Sequence, residues 1–439
     1  MYRSKDRRTQ SLFPELFPFG GKLDENNRWL RIAELIPWEE LEEEYAKHFS
    51  DRGRPAKDAQ LVIGLLLLKH MTVLSDVGIV EAVQENPYMQ AFCGFEKFVT
   101  GEMLDPSTLT KQRERLGLEF FKTLEAKTYK VLIDRKIIRA KGMLVDATVF
   151  PENIKYPNDV GLLNDVREWL VRNIKKLGKI TGKQYRTYSR TARKDYLDYS
   201  KKKKKTKKTI NKAKKKMLQY VRRNLKQIHE VIEIVKACGQ RVKENILARI
   251  PVAERIYAQQ LEMYKQKTHR VADRIVSFHR PYVRPIKRGK SGKSTEFGGK
   301  GALSHVDGFL FLDHFEHSAF PEDKLTMEQV KAYKQKFGKL PPYMAADRKY
   351  GTRENRKDLE EEEIRASFRP LGRRPKGENR ADRWFKAKQK ERNRIEGSFG
   401  HGKQHCGMDR VKYSGEHGSE MWIRGCLLAM NLQTAARRV

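Results

Sequence analysis

The spacing of apolar positions changes along the chain, and each change predicts a different kind of element. Over residues 1–135 the apolar residues recur at helical intervals. Asp58 stands just ahead of the apolar run Leu61–Leu68, as a capping residue would. Ser75 opens a second helix with Ile79, Val80 and Val83 on one face, closed before Pro87. Asp105-Pro106 sets a cap ahead of an N1 proline, and the helix that follows presents Lys111, Arg113 and Arg115. Short helices ending in a basic one suit a helix-turn-helix reader of DNA, or a plain helical interaction domain.

At Met143–Phe150 the pattern becomes that of a buried strand, interrupted by Asp146. A carboxylate there is costly unless it is paired or bound to metal. Residues 158–280 return to helical spacing. Leu218, Val221, Leu225, Ile228, Ile232 and Val235 form one heptad seam. Tyr257, Leu261, Tyr264, Thr268, Val271, Ile275 and Phe278 form another, and an antiparallel helical hairpin is expected. After Pro281, a strand hairpin is expected over Glu296–Leu303 and Gly308–Phe315, turning at Val306-Asp307-Gly308. A helix over 324–337, a short strand within Tyr343–Tyr350 that ends at Asp347, a helix over 352–363 and a strand over Ile364–Phe368 should follow. Helices over 380–396 and 419–437 complete the series, a mixed α/β core interrupted once.

Charge sharpens this division. The 439 residues carry 92 Lys+Arg against 56 Asp+Glu, a net of +36, which points to a polyanionic partner such as nucleic acid. Residues 1–135 have a net charge of −2, and residues 172–226 have +21. The densest part is the run Lys201, Lys202, Lys203, Lys204, Lys205, Lys207, Lys208, Lys212, Lys214, Lys215 and Lys216. It reads as a solvated basic segment or as a grip on DNA phosphates. The longest apolar run has eight residues, too few to span a bilayer, and the polar start MYRSKDRRTQ does not read as a signal peptide. Four cysteines without CxxC spacing indicate neither a disulfide framework nor a zinc ribbon. A cytoplasmic, nucleoid-associated protein is expected.

Some motifs fail on their own terms. GKSGKS (289–294) lacks the first glycine of a phosphate loop, since position 287 is lysine. His401, His405 and Cys406 have zinc-like spacing but no second pair of ligands, and His314 and His317 also lack a partner cluster. Arg392, Glu396 and Lys403 fare better, because offsets of −4, 0 and +7 put them on one helical face. The plainer reading is a surface ion pair. Gly397, Gly400 and Gly402 weaken the helix beyond Glu396, or admit a DNA backbone.

These residues resemble the Y-x2-R-x3-E-x6-K signature helix of the DDE transposases of bacterial insertion sequences, with Gln389 at the tyrosine position. LVDATVF resembles that family's first-aspartate strand, and AADRKYGTRENR (345–356) resembles its second-aspartate segment. GRPAKDAQLVIGLLLLKHM, SDVGIVEAVQENPYMQAFCG and DPSTLTKQRERLG resemble its N-terminal domain. The resemblance implies an α/β fold: an RNase H-like mixed-sheet catalytic core interrupted by a helical insertion, with an N-terminal all-helical domain. The domains would be 1–135 for DNA binding or dimerisation, 136–157 plus 281–439 for catalysis, and 158–280 for the basic insertion. Asp146, Asp347 and Glu396 would be the catalytic acids and the ligands of two Mg2+ ions, with Mn2+ able to substitute. Arg348, Arg392 and Lys403 would contact DNA. The implied activity cuts the inverted repeats that end the element and joins their 3′-OH ends to target DNA, with a homodimer on double-stranded DNA. A nuclease that cuts without joining, or a catalytically silent DNA-binding protein, is the alternative.

Overall fold

In a computed structural model, residues 23–50, 52–287, 295–369, 371 and 380–439 are described. The motif at 289–294 lies outside them. The chain divides into two compact units. One runs up to Glu152 and resumes at Gly299; the other is Asn153–Gly298.

The first unit begins with six helices: α1 (Arg28–Ala33), α2 (Trp38–Ala46), α3 (Ala59–Thr72), α4 (Asp76–Glu85), α5 (Pro87–Phe92) and α6 (Pro106–Asp134). Their starts follow the predicted caps. Asp58, Ser75 and Asp105 accept hydrogen bonds from Leu61, Gly78 and Ser107 backbone N–H groups. α6 breaks once, at Gly117, whose φ of +67° suits glycine.

Strand β1 (Met143–Pro151) follows. In the second unit come α7 (Asp159–Thr181), α8 (Ser189–Ser200), α9 (Lys207–Ala237), α10 (Glu244–Leu247), α11 (Ile250–Lys265) and β2 (Arg284–Lys287). The remaining elements are β3 (Thr295–Val306), β4 (Phe309–Glu316), α12 (Thr326–Phe337), β5 (Tyr343–Ala345), α13 (Arg353–Glu361), β6 (Arg365–Ser367), α14 (Arg380–His405) and α15 (Gly418–Ala436). The sheet runs β4-β3-β1-β5-β6. β3 and β4 are antiparallel, while β1, β5 and β6 are parallel. This mixed sheet with its covering helices is an RNase H-like core.

Two helices carry the core of this unit. α3 and α15 are buried along most of their length and pack against each other. Gly425 permits that approach: a β-carbon there would stand 2.4 Å from His70 Nε2. Burial drives the His70 imidazole down to about 3, so it stays neutral among Tyr413 and Trp422. α15 also lies along β4. The Asn431 side chain accepts from the Leu310 N–H at 3.0 Å and donates to the Leu310 carbonyl at 2.7 Å. It thereby satisfies backbone groups on the sheet edge that burial would otherwise leave unpaired.

Asp76 joins three of the N-terminal helices. Its carboxylate receives Lys69 of α3 at 2.7 Å and both terminal nitrogens of Arg113 of α6, at 2.9 and 2.8 Å. Arg113 was expected to face DNA; it is instead buried in this network, because Asp76 and the Tyr413 ring take up its charge. Lys111 and Arg115 are exposed as expected, Arg115 lying over the Phe49 ring.

The second unit is an up-down-up-down bundle. Asp159 at the start of α7 meets Lys214 near the start of α9, and Lys183 just past α7 meets Glu230 late in α9. The two helices therefore run the same way. Asp195 of α8 binds Lys216 and Tyr220, while Tyr188, ahead of α8, stacks with Arg223, so α8 runs back. His229 of α9 meets Glu254 at the start of α11, and Gln260 reaches Asp159, so α11 also runs back. The first heptad seam is buried as expected, although α7 is its main partner. The second seam is not a helical seam. α11 ends at Lys265 and buries Ala253, Ile256, Gln259, Gln260 and Met263 instead. Two of those are glutamines that bond to backbone and Asp159, so polar residues facing inward concealed the true face.

The Asp76 network sets a pH dependence. Burial alone would raise its carboxyl, but hydrogen bonds and charge from Arg113 and Lys69 outweigh this and hold it at about 2. The unfolded value is about 3.9. The contribution is therefore complete above about pH 4 and is lost as pH falls toward 2. The side chain is 21% exposed. Asp76→Asn should cost about 2–4 kcal/mol at pH 7, the upper end reflecting the stranded cations. Denaturant unfolding at pH 7 and pH 2.5 should show the gap between the two proteins shrinking at the lower pH.

Candidate active site

Two acids meet because of strand register. Met143 pairs with Met344 and Leu144 with Ala345 across parallel β1 and β5. Continuing that register by two residues places Asp146 beside Asp347, just beyond the β5 end. Neighbouring strands are about 4.8 Å apart. Asp347 then leaves the sheet and caps a short 3-10 turn, its Oδ1 accepting from the Arg348 N–H at 2.7 Å. The strand expected to end at Asp347 thus stops at Ala345, three residues long, just ahead of this turn.

The third acid arrives on α14. Glycines at 397, 400 and 402 do not end this helix, which continues to His405. Gly397 and Gly400 open on empty space, whereas Gly402 fits because a β-carbon would strike the Met408 sulfur at 2.3 Å. Contacts from three signature positions help to fix α14 to the sheet. Gln389, at the signature-tyrosine position, donates to the Ser367 carbonyl at 2.6 Å and the Ala346 carbonyl at 3.3 Å, bridging β6 and the β5 end. Arg392 donates to Asp146 Oδ2 and to Glu396 Oε1, each at 3.2 Å. Lys403 donates to Thr148 Oγ1 on β1 at 3.0 Å. The signature residues therefore share one face, and that face meets β1.

The electrostatics follow from this convergence. Burial chiefly raises the Asp146 carboxyl to about 6. The Ala147 N–H and Arg392 oppose the shift, while the charges of Glu322 and Asp347 add to it. Asp347 and Glu396 are exposed, as are Arg348 and the glycine surface beside Glu396. Among the described residues, no three His, Cys, Asp or Glu side chains close on one point as a metal cage would. Asp146 and Glu396 instead converge on the Arg392 guanidinium, and Asp347 flanks them. The donors are all hard oxygens, the set that Mg2+ or Mn2+ takes, and Arg392 shows that the pocket between two of them accepts positive charge.

The other expected DNA contacts divide. Lys201, Lys202, Lys203, Lys204, Lys205, Lys207, Lys208, Lys212 and Lys215 are exposed. The first five lie in the connection ahead of Thr206, which caps α9. Lys214 is buried on Asp159, and Lys216 pairs with Asp195 at 2.6 Å. Both help to hold the bundle together; burial removes Lys214 from the expected grip on DNA, whereas the Lys216 side chain remains 44% exposed. Sequence spacing could not separate them from their neighbours, because the difference lies in acids 55 and 21 residues away. Nor did the sequence signal Glu322, which stands in an ordinary polar turn. Among the described residues, no single helix is long and apolar enough to cross a membrane.

Comparison with known proteins bears on this geometry. A family model described as a transposase domain (DUF772) matches residues 17–115. A second, described as a transposase DDE domain, matches residues 344–433, the stretch that holds Asp347, Arg392, Glu396 and Lys403. Asp146 and the helical bundle lie outside both matches. A Rhizobium meliloti protein named "Uncharacterized protein ORF8 in nfe locus" is 37% identical over 152 residues, spanning 34% of this chain and 73% of that protein. No solved structure matches. With these matches, an RNase H-like sheet and the signature residues on one helical face, the chain belongs to the DDE transposases of insertion sequences, enzymes that move DNA.

Proposed function

We propose that the chain binds the ends of its element, cleaves them and joins the freed 3′-OH groups to target DNA at a site built from Asp146, Asp347 and Glu396. The observation that carries this reading is the meeting of the three acids' elements: β1 and β5 in register, and α14 crossing them with Arg392 between Asp146 and Glu396. Two Mg2+ ions, or Mn2+ in their place, would be held by these acids and would stabilise the attacking and leaving oxygens of an in-line displacement.

The protein's own groups supply the rest. Arg392 and Lys403 extend from the same helix toward β1, and each can turn a donor to a non-bridging phosphate oxygen. Arg348 is exposed next to Asp347, placed to contact the same backbone. The bare surface at Gly397 and Gly400 lets a sugar-phosphate chain approach α14. Lys111 and Arg115 contribute to end recognition by the N-terminal helices. The exposed lysines around α9 give a sequence-independent grip. Two ends must be brought together, which two copies of the chain on DNA would do.

Purified protein, Mg2+ and DNA carrying the element's own terminal repeats test the chemistry. Asp146→Asn, Asp347→Asn and Glu396→Gln should each lower cleavage and joining by about 10³-fold or more, for a loss of several kcal/mol of charge stabilisation. Three variants that cut and join like wild type would exclude the site. Cutting without joining would mark a nuclease.

Neutralising Lys201–Lys205 should weaken binding to all duplex sequences about equally and flatten the salt dependence. A loss confined to the terminal repeats would contradict that role. Gly397→Ala and Gly400→Ala should each raise stability by about 0.5–1 kcal/mol in thermal unfolding while weakening DNA binding. Undiminished binding by both would show that the backbone passes elsewhere.

A further inference from the structure

A fourth carboxylate stands beside the proposed site. Glu322 lies in the short turn between β4 and α12, with a side chain only 11% exposed. Lys300, on β3, holds it at 2.7 Å, and Lys349, two residues past Asp347, approaches to 3.8 Å. The charge of Glu322, like that of Asp347, acts to raise the Asp146 carboxyl. Another acid here adds negative charge beside the site, and Lys300 and Lys349 are the cations that face it.

The turn that carries Glu322 is tied to the turn that carries Asp347. The buried Asn355 amide donates to the Asp323 carbonyl, the Thr326 hydroxyl and the Tyr350 carbonyl, each at 2.8 Å. One side chain thus fixes the residue after Glu322 against the third residue after Asp347. Tyr350 itself is fully buried, and its hydroxyl has no hydrogen-bond partner. The charges of Glu322, Asp146, Asp313 and Asp347 all act on that hydroxyl. An unpaired buried hydroxyl is costly, and this one has a donor free for an oxygen acceptor.

We propose that Glu322 is a positioning residue of the reaction centre: held by Lys300 and joined to the Asp347 turn through Asn355, it adds its charge to the field that attracts divalent cations, with the Tyr350 hydroxyl donating to an oxygen ordered when a cation binds. This rests on the assignment of Asp146, Asp347 and Glu396 as cation-holding acids. Like charges on these neighbouring elements repel each other in the free protein, and a bound cation would relieve that repulsion. Removing one therefore weakens cation binding even if that acid never touches the ion.

Mn2+ binding to the full chain without DNA, followed by the electron paramagnetic resonance of free Mn2+, tests this apart from catalysis. Glu322→Gln should weaken Mn2+ binding about 10-fold, Glu322→Asp should recover part of it, and Tyr350→Phe should weaken it about 3-fold. Asp146→Asn is the reference. If Asp146→Asn loses Mn2+ binding while a folded Glu322→Gln binds like wild type, the role of Glu322 is refuted and the site assignment stands. If Asp146→Asn also binds like wild type, the underlying assignment fails first. Should Glu322→Gln not fold, Tyr350→Phe decides: weakened binding supports the proposal, and unchanged binding overturns it.

Discussion

Two carboxylates at the ends of adjacent parallel strands repel each other, and much of the first unit serves to hold them together. The register of β1 and β5 puts Asp146 next to Asp347 whatever the electrostatic cost. The sheet can impose this because β1 is central, with β3 on one side and β5 on the other. Burial and neighbouring negative charge then lift the Asp146 carboxyl well above the usual carboxylate range. A site built this way has an intrinsic demand for positive charge, and in the structure Arg392 answers it.

α14 is the element that makes the demand useful. Gln389 ties its first half to the β5 and β6 ends, Lys403 ties its second half to β1, and Arg392 lies between. Gln389 takes the signature-tyrosine position and works through an amide that binds two carbonyls, so an aromatic ring is not needed to dock the helix. Below this, α3 and α15 form an apolar floor, closed by a neutral histidine and by an asparagine that completes the edge of β4. A rigid floor is what allows the charged groups above it to be held in place without relaxing apart.

The bundle of the second unit divides its charge between two tasks. Lys214 and Lys216 neutralise Asp159 and Asp195 and so specify how α7, α8 and α9 pack. The exposed lysines before and along the start of α9 have no such duty and dominate the surface there. The same residue type thus builds the scaffold and supplies the surface charge, and the presence of an acid partner separates the two.

Much of this was legible beforehand, for physical reasons. Caps at Asp58, Ser75 and Asp105 are local hydrogen bonds, so local sequence reveals them. The β3–β4 hairpin announced itself through Asp307-Gly308, both with positive φ. The shared face of Arg392, Glu396 and Lys403 followed from helical geometry alone. What stayed hidden depended on distant partners. Arg113 looked like its exposed neighbours until Asp76 met it across 37 residues. The face of α11 stayed hidden because it buries glutamines, and the continuation of α14 past Glu396 stayed hidden because the packing of Gly402 against Met408 is not local. Glu322 had no motif around it, since its significance comes from a lysine on β3 and a turn held by Asn355.

The central claim, that acids from β1, the end of β5 and α14 form one cation-binding reaction centre, has a direct physical test. Fe2+ in place of Mg2+, with ascorbate and peroxide, generates radicals that cut the polypeptide next to the bound ion. The account predicts cuts clustered around Asp146, Asp347 and Glu396 together, all suppressed by excess Mg2+. Cuts near only one of the three, or cuts that Mg2+ does not suppress, would contradict it.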